Sequence, residues 1–173
     1  SGTPATDATF VAANMQSSAV GFGAGSPYSN PWDYSDQLLV RSLNVAALGA
    51  TKYLTWTAAP AAGYRQSLSR LTFFLMGTSS NTIHAELRSS LDGYTAAIPL
   101  QAGETSGNRA IHTADLSGIA GMQNITAAVQ FRLFLWLPTS STGTDAAGFG
   151  RSKDRPTDKI EDLVVQGTVQ GAR

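Results

Sequence analysis

Short runs of β-branched and aromatic residues, in which apolar side chains recur at every second position, are the feature that most constrains this fold. Apolar residues occupy every second position of residues 71–75 and again of residues 131–137. A period of two places alternate side chains on opposite faces of a β-strand. Clusters of Gly, Pro, Asn and Ser separate such segments, and helical spacing is scarce, a pattern typical of all-β sandwiches and barrels. We therefore predict an all-β, antiparallel jelly-roll β-sandwich, with residues 1–173 as a single domain because no second core or linker is visible.

The strands expected from this pattern cover residues 53–57, 68–76, 82–89, 131–137 and 160–169, with turns at residues 60–63 and 77–81. Residues 21–31, rich in Gly and Pro, are interpreted as an ordered surface loop. Residues 38–50 are the one segment with helix-like spacing, so we treat them as a candidate helix, although Val40 and Val45 leave this open. Residues 115–119 are read as a turn that leads into a short helical or irregular link.

The composition excludes several classes of protein. Lys and Arg number 12, as do Asp and Glu, and only 14% of residues are charged, so the chain lacks the basic excess of a nucleic-acid binder. Hydrophobic residues make up 42%, which argues against disorder. No apolar run approaches the roughly 20 residues of a membrane helix. There is no cysteine, hence no disulfide, thiolate zinc site or cysteine nucleophile. Low charge with much Ser, Thr, Ala and Gly favours a secreted or cell-surface bacterial protein over a cytosolic enzyme.

Six segments carry a resemblance to a known kind of module. They are residues 53–57, 60–64, 68–73, 87–94, 129–133 and 159–167, in that order along the chain. Together they resemble a module of secreted bacterial proteins that is associated with PEP-CTERM sorting tails and is similar to carbohydrate-binding modules. The resemblance implies a jelly-roll β-sandwich, a polysaccharide or oligosaccharide as ligand, and a carbohydrate-active enzyme as neighbour in the parent chain.

A first candidate site lies in the Pro-rich loop of the first third of the chain. Sugar recognition uses flat aromatic rings against the apolar faces of sugar rings, with planar polar groups for the hydroxyls. The loop supplies both kinds of group at Tyr28, Asn30, Trp32, Asp33, Tyr34 and Asp36. The alternative is a loop that is held to the core by its own aromatic residues. We expect Trp32 to be the exposed ring.

A second candidate site follows from strand alternation. One expected strand places His84, Glu86 and Arg88 on one face, and another does the same for Arg132, Phe134 and Trp136. If both strands lie in one sheet, these side chains line a surface suited to a sugar. The alternative is a solvated face on which Arg88 and Arg132 pair with carboxylates and the two rings cover a hydrophobic edge. Trp56 is expected in the core instead.

A structural calcium ion is a further hypothesis. Calcium takes six to eight oxygen ligands, and Asp7 and Asp162 would meet if the terminal strands pair. The chain has no D-x-D-x-D-G loop, the pattern that marks a calcium-binding segment.

The sequence lacks the motifs of several enzyme classes. The chain has no G-x-S-x-G, no H-E-x-x-H and no G-x-x-x-x-G-K. Glu86 and Glu104 are the carboxylate pair one would propose for glycoside hydrolysis. Residues 86–88, Glu-Leu-Arg, resemble a segment on a catalytic strand of alginate lyases, so a polysaccharide lyase or hydrolase stays open.

The sequence thus favours non-catalytic binding of an extracellular polysaccharide. The predicted ligand-binding residues are Trp32, Tyr34, Asp33, Tyr28, Arg88, Glu86, Arg132 and Trp136, and the predicted metal ligands are Asp7 and Asp162. The alternatives are a jelly-roll lyase or hydrolase and a structural or adhesive surface module without a small ligand.

Overall fold

A computed structural model describes residues 11–16, 18–23, 37–43, 45–77, 82–106, 109–138, 146–150 and 163–172. Within these ranges the chain forms strands joined by turns and two short 3-10 helices, Ser90–Asp92 and Ala120–Met122. The strands are β1 (Gly21–Phe22), β2 (Gln37–Arg41), β3 (Tyr53–Ala58), β4 (Tyr64–Gly77), β5 (His84–Ser89), β6 (Gln101–Ser106), β7 (Arg109–Asp115), β8 (Val129–Trp136), β9 (Ala146–Gly150) and β10 (Leu163–Gly171).

The strands form two antiparallel sheets. The front sheet has the order β1-β3-β8-β5, and the back sheet has the order β2-β9-β4-β7-β6 with β10 also paired to β4. Strand β4 is long enough to pair along one edge with β7 and along the other with β10 and then β9. The two sheets pack together, which confirms the all-β sandwich. The strand order does not establish the jelly-roll connectivity that we expected.

Alternation along β3 shows how each sheet contributes to the core. Leu54, Trp56 and Ala58 are buried, whereas the residues between them are only half-buried. The Trp56 ring stacks on Phe131 of the front sheet, with centroids 5.7 Å apart, and meets Phe149 of the back sheet edge-on at 5.6 Å. Trp56 therefore bridges the two sheets, and its prediction as a core residue is confirmed.

The candidate helix at residues 38–50 is wrong. Residues 37–41 are strand β2, which pairs antiparallel with β9, and residues 45–50 form bends and a turn. Both Leu39 and Val40 are fully buried although they are neighbours in a strand and point to opposite faces. Burial on both faces gives a continuous apolar run, which periodicity cannot distinguish from a buried helix.

The other predictions for the described strands are confirmed, with small shifts of their ends. Part of the expected loop at residues 21–31 is strand β1, and residues 24–31 lie outside the described ranges. After β7 the chain turns at residues 116–119 and enters the second 3-10 helix, as expected. None of the helices in the described ranges is long and apolar enough to cross a membrane.

His112 is a half-buried titratable side chain at the margin of the core. The imidazole of His112, on β7, stacks on Phe73 of β4 with ring centroids 5.4 Å apart. Phe73 is fully buried. Burial disfavours the charged imidazolium and lowers the pKa of His112 from its ordinary value.

Candidate binding face on the front sheet

The register between β5 and β8 brings the second set of predicted residues together. The cross-strand partners are His84 with Trp136, Glu86 with Phe134, and Arg88 with Arg132. The residues between them, Leu87 and Leu133, are fully buried. Because successive side chains of a strand point to opposite faces, the six partners lie on the outer face of the front sheet. We call this surface, together with Tyr53, Tyr94 and Gln130, the front face.

Tyr53 extends the front face across β3. It is the cross-strand neighbour of Phe134, and the two rings meet edge-on with centroids 5.2 Å apart. The backbone N–H of Gly23 donates to the Tyr53 carbonyl at 2.9 Å. A Cβ atom at Gly23 would lie 2.6 Å from the Tyr53 ring and 2.4 Å from the Thr51 carbonyl oxygen. Glycine at residue 23 therefore leaves the room that the Tyr53 ring occupies.

Tyr94 reaches the front face through a tight turn after β5. Gly93 and Tyr94 both adopt left-handed backbone conformations, with φ of 68° and 64°, and the Tyr94 N–H donates to the Ser89 carbonyl at 2.9 Å. The Tyr94 hydroxyl hydrogen-bonds to Oε1 of Gln130 on β8. The turn thereby folds the Tyr94 ring back over the sheet.

Asp92 supports this turn. Its carboxylate accepts the N–H groups of Ala96, at 2.8 Å, and Thr95, at 3.1 Å. The Ala96 hydrogen bond is the main cause that lowers the pKa of Asp92 from its ordinary value, because it stabilises the charged form.

Arg132 lies between two tyrosine rings. Its guanidinium carbon is 3.7 Å from the centroid of Tyr94 and 4.6 Å from that of Tyr53. Each contact is a cation–π interaction worth about 0.5–1 kcal/mol at a partly exposed site. The Nε atom is buried and has no hydrogen-bond partner, and in the described ranges no carboxylate pairs with this side chain. The rings hold the guanidinium in place without neutralising its charge.

Arg88 has the opposite environment. Its Nε donates to Oε1 of Glu86 at 2.5 Å, and its Nη1 donates to the Tyr94 carbonyl at 2.9 Å. Both side chains of the Arg88–Glu86 ion pair are about one quarter exposed, at 25% and 26%. The alternative reading, in which both arginines pair with carboxylates, therefore describes Arg88 but not Arg132 within the described residues.

At the other end of the front face, His84 and Trp136 form a ring pair. Their centroids are 5.3 Å apart and the planes are inclined by 27°. His84 is exposed and Trp136 is half-buried. The imidazole thus lies along one face of the indole.

Several predicted residues fall outside the described ranges. These are the loop residues Tyr28, Trp32, Asp33 and Tyr34 and the two metal candidates Asp7 and Asp162. In the described part of the chain, no group of three or more His, Asp or Glu side chains could hold a metal ion. Strand β10 pairs with β4 of the back sheet, whereas β1 belongs to the front sheet. The calcium site stays a prediction.

The carboxylate pair considered for hydrolysis is divided between the sheets. Glu86 is on β5 of the front sheet, and Glu104 is on β6 of the back sheet. Glu86 is in addition engaged by Arg88.

Sequence reasoning missed Tyr53 and Tyr94 as members of the front face. A signal for Tyr53 existed, because it is three residues from Trp56, and an odd separation along a strand puts the two on opposite faces. For Tyr94 no periodic signal existed, since its position depends on a left-handed turn.

Comparison with known proteins gives no match: no protein family, no curated protein and no solved structure is significantly similar to this chain.

Proposed function

We propose that this protein is a non-catalytic module that binds an extracellular polysaccharide through its front face. The observation that carries the proposal is the row of aromatic rings on the outside of a sheet, interleaved with planar polar groups. Trp136 and Tyr53 supply half-buried rings on either side of Phe134, which is itself buried, while Arg132 and Gln130 supply hydrogen-bonding groups. Recognition of a sugar requires aromatic groups for the faces of its ring and polar groups for its hydroxyls.

Trp136 is the proposed stacking platform. Because His84 lies along one face of the indole, a sugar ring would contact the opposite face. That side of β8 borders β3, where the Leu135 N–H donates to the Lys52 carbonyl at 3.0 Å. By the register of β3 with β8, the position across from Trp136 precedes Tyr53, the first residue of β3, so no ring of β3 lies directly opposite the indole.

The length of the front face favours a polymer over a single sugar. Trp136 and Arg132 are four residues apart on one strand, which corresponds to about 13 Å at roughly 3.3 Å per residue. This span exceeds one pyranose ring. A chain that lies along β8 would therefore contact the indole and the guanidinium with different sugar residues.

The affinity of such a surface is modest. Hydroxyl contacts compete with water, so we expect a Kd of about 1 μM to 1 mM. A module of this affinity raises the local concentration of a linked enzyme at its polymer. The proposal therefore includes a secreted or cell-surface location in a bacterium and a carbohydrate-active enzyme as neighbour in the parent chain.

Affinity electrophoresis against plant, algal and microbial polysaccharides tests the proposal. At least one polymer should retard the protein, and Trp136→Ala should weaken that retardation. Tyr64→Ala is the matched control, because Tyr64 is a half-buried aromatic residue at the start of β4 in the back sheet. Retardation that survives Trp136→Ala unchanged would remove the front face as the site.

The same panel separates the two rivals. New reducing ends or unsaturated products after incubation would show a hydrolase or a lyase. Absence of retardation by every polymer would favour a structural or adhesive module.

A further inference from the structure

Arg132 is the one side chain of the front face that keeps charged donors free within the described residues. Its contacts there are with the rings of Tyr53 and Tyr94. A ring face attracts the cation but does not accept the directed hydrogen bonds that the five guanidinium N–H groups offer. The Nε–H is buried without a partner, which costs free energy, and no described residue accepts a hydrogen bond from the terminal Nη groups, which remain the donors for a ligand.

The charged residues around Arg132 leave a net positive charge on the front face. Arg88 is its direct cross-strand neighbour on β5, and like charges directly opposite in a sheet repel. Glu86 is the carboxylate of the front face and binds Arg88. The Arg88 guanidinium is further committed to the Tyr94 carbonyl. Positive charge is therefore left over at Arg132.

We propose that Arg132 binds the carboxylate of a uronic acid residue, so that the ligand is an acidic polysaccharide. This inference rests on the proposed function and specifies the ligand class of the same face. A carboxylate presents two oxygens in one plane and matches the forked donors of a guanidinium. It would accept hydrogen bonds from the terminal Nη groups, which no described residue engages, and offset the repulsion between Arg132 and Arg88. Neighbouring sugar residues of the same chain would then extend along β8 toward Trp136.

The test compares polymers that differ in charge. Isothermal titration calorimetry with polygalacturonate, alginate and xanthan probes uronate binding. The same polymers after chemical reduction of their carboxyl groups probe the uncharged chain. Dextran sulfate supplies an anionic polymer without carboxylates. Binding to at least one uronate polymer is expected, with loss of most of the affinity on carboxyl reduction.

Three variants locate the contact. Arg132→Met should raise the Kd for the uronate polymer about tenfold or more, since a charge-assisted hydrogen bond is lost. Arg132→Lys keeps the charge but not the fork, so an intermediate loss is expected. Arg70→Met is the matched control, because Arg70 is an exposed arginine on β4 of the back sheet. It should change the Kd less than twofold, and circular dichroism verifies that each variant is folded.

The outcomes separate this inference from the proposed function. Trp136-dependent binding of neutral polymers alone would overturn the uronate proposal and leave the proposed function standing. Binding of no polymer would overturn both. Equal losses in the Arg132 and Arg70 methionine variants would show a general charge effect and refute the site. Arg132-dependent binding that is tighter to dextran sulfate than to every uronate polymer would refute the choice of a carboxylate.

Discussion

Replacing Arg132 by methionine should leave the fold as stable as before or stabilise it. Methionine keeps the apolar stem of the side chain but removes the guanidinium, its charge and its contacts with the two tyrosine rings. The same substitution at Arg88 should destabilise the protein. The two arginines are cross-strand neighbours, so the pair compares one guanidinium that has charged and carbonyl partners with one that has none among the described residues.

The magnitudes follow from the contacts. Arg132→Met loses two cation–π contacts, about 1–2 kcal/mol together. It removes an unpaired buried donor, which costs about 1–3 kcal/mol, and a repulsion of about 0.2–1 kcal/mol with Arg88. The balance is a stabilisation of about 1 kcal/mol. Arg88→Met loses the partly exposed ion pair, about 0–1 kcal/mol, and the charged hydrogen bond to the Tyr94 carbonyl, about 1.5–3 kcal/mol.

Urea unfolding followed by circular dichroism measures both free energies, and the midpoint comparison requires equal m-values. Thermal melts give a second readout, since about 1 kcal/mol corresponds to roughly 2–4 °C for a protein of this size. If Arg132→Met proves at least as destabilising as Arg88→Met, then Arg132 has a stabilising partner. In that case the argument that the Arg132 donors are free for a ligand would fail.

Three further predictions concern the scaffold. Burial holds the pKa of His112 below its ordinary value, so the unfolded chain binds the proton more readily than the folded protein. The free energy of unfolding should therefore be highest above about pH 6.5 and should fall as the pH falls below it. Urea titrations from pH 8 to 5.5 should show this decline in the wild type but not in His112→Phe, and parallel curves for the two proteins would refute it. Gln66 is buried, its Nε2 donates to two carbonyls at 3.0 Å, and its Oε1 has no partner. Gln66→Met leaves two carbonyls without this donor and removes one unpaired acceptor, so it should cost about 1–3 kcal/mol in urea unfolding, and unchanged or raised stability would contradict this. Gly23→Ala should cost about 1–3 kcal/mol through overpacking and weaken glycan binding by displacing Tyr53, whereas unchanged melting and binding would show that the ring moves at no cost.

The parts of this structure that the sequence predicts are those governed by alternation. Trp56 and Tyr53 lie on opposite faces of β3, and Arg132 and Trp136 share a face of β8, because the side-chain period of a strand is two. Strand β2 gives no such signal, because Leu39 and Val40 are both buried although they lie on opposite faces.

Register and turn geometry are what sequence reasoning could not supply. Nothing in the two segments indicates that Arg88 comes to lie opposite Arg132 rather than one pair further along. The position of Tyr94 depends on two successive left-handed residues, and a non-glycine residue rarely adopts that conformation. The cation between two rings therefore became visible only once the turn and the register were known.

The most direct test of the central claim uses the three tryptophans as reporters. Two-dimensional ¹H–¹⁵N NMR resolves one indole Nε1–H signal for each of Trp32, Trp56 and Trp136. Addition of an oligosaccharide from a polymer that retards the protein should shift the Trp136 signal and the amides of β5 and β8, while the signal of buried Trp56 stays in place. A shift of the Trp32 signal with an unchanged Trp136 signal would contradict the front face as the binding surface.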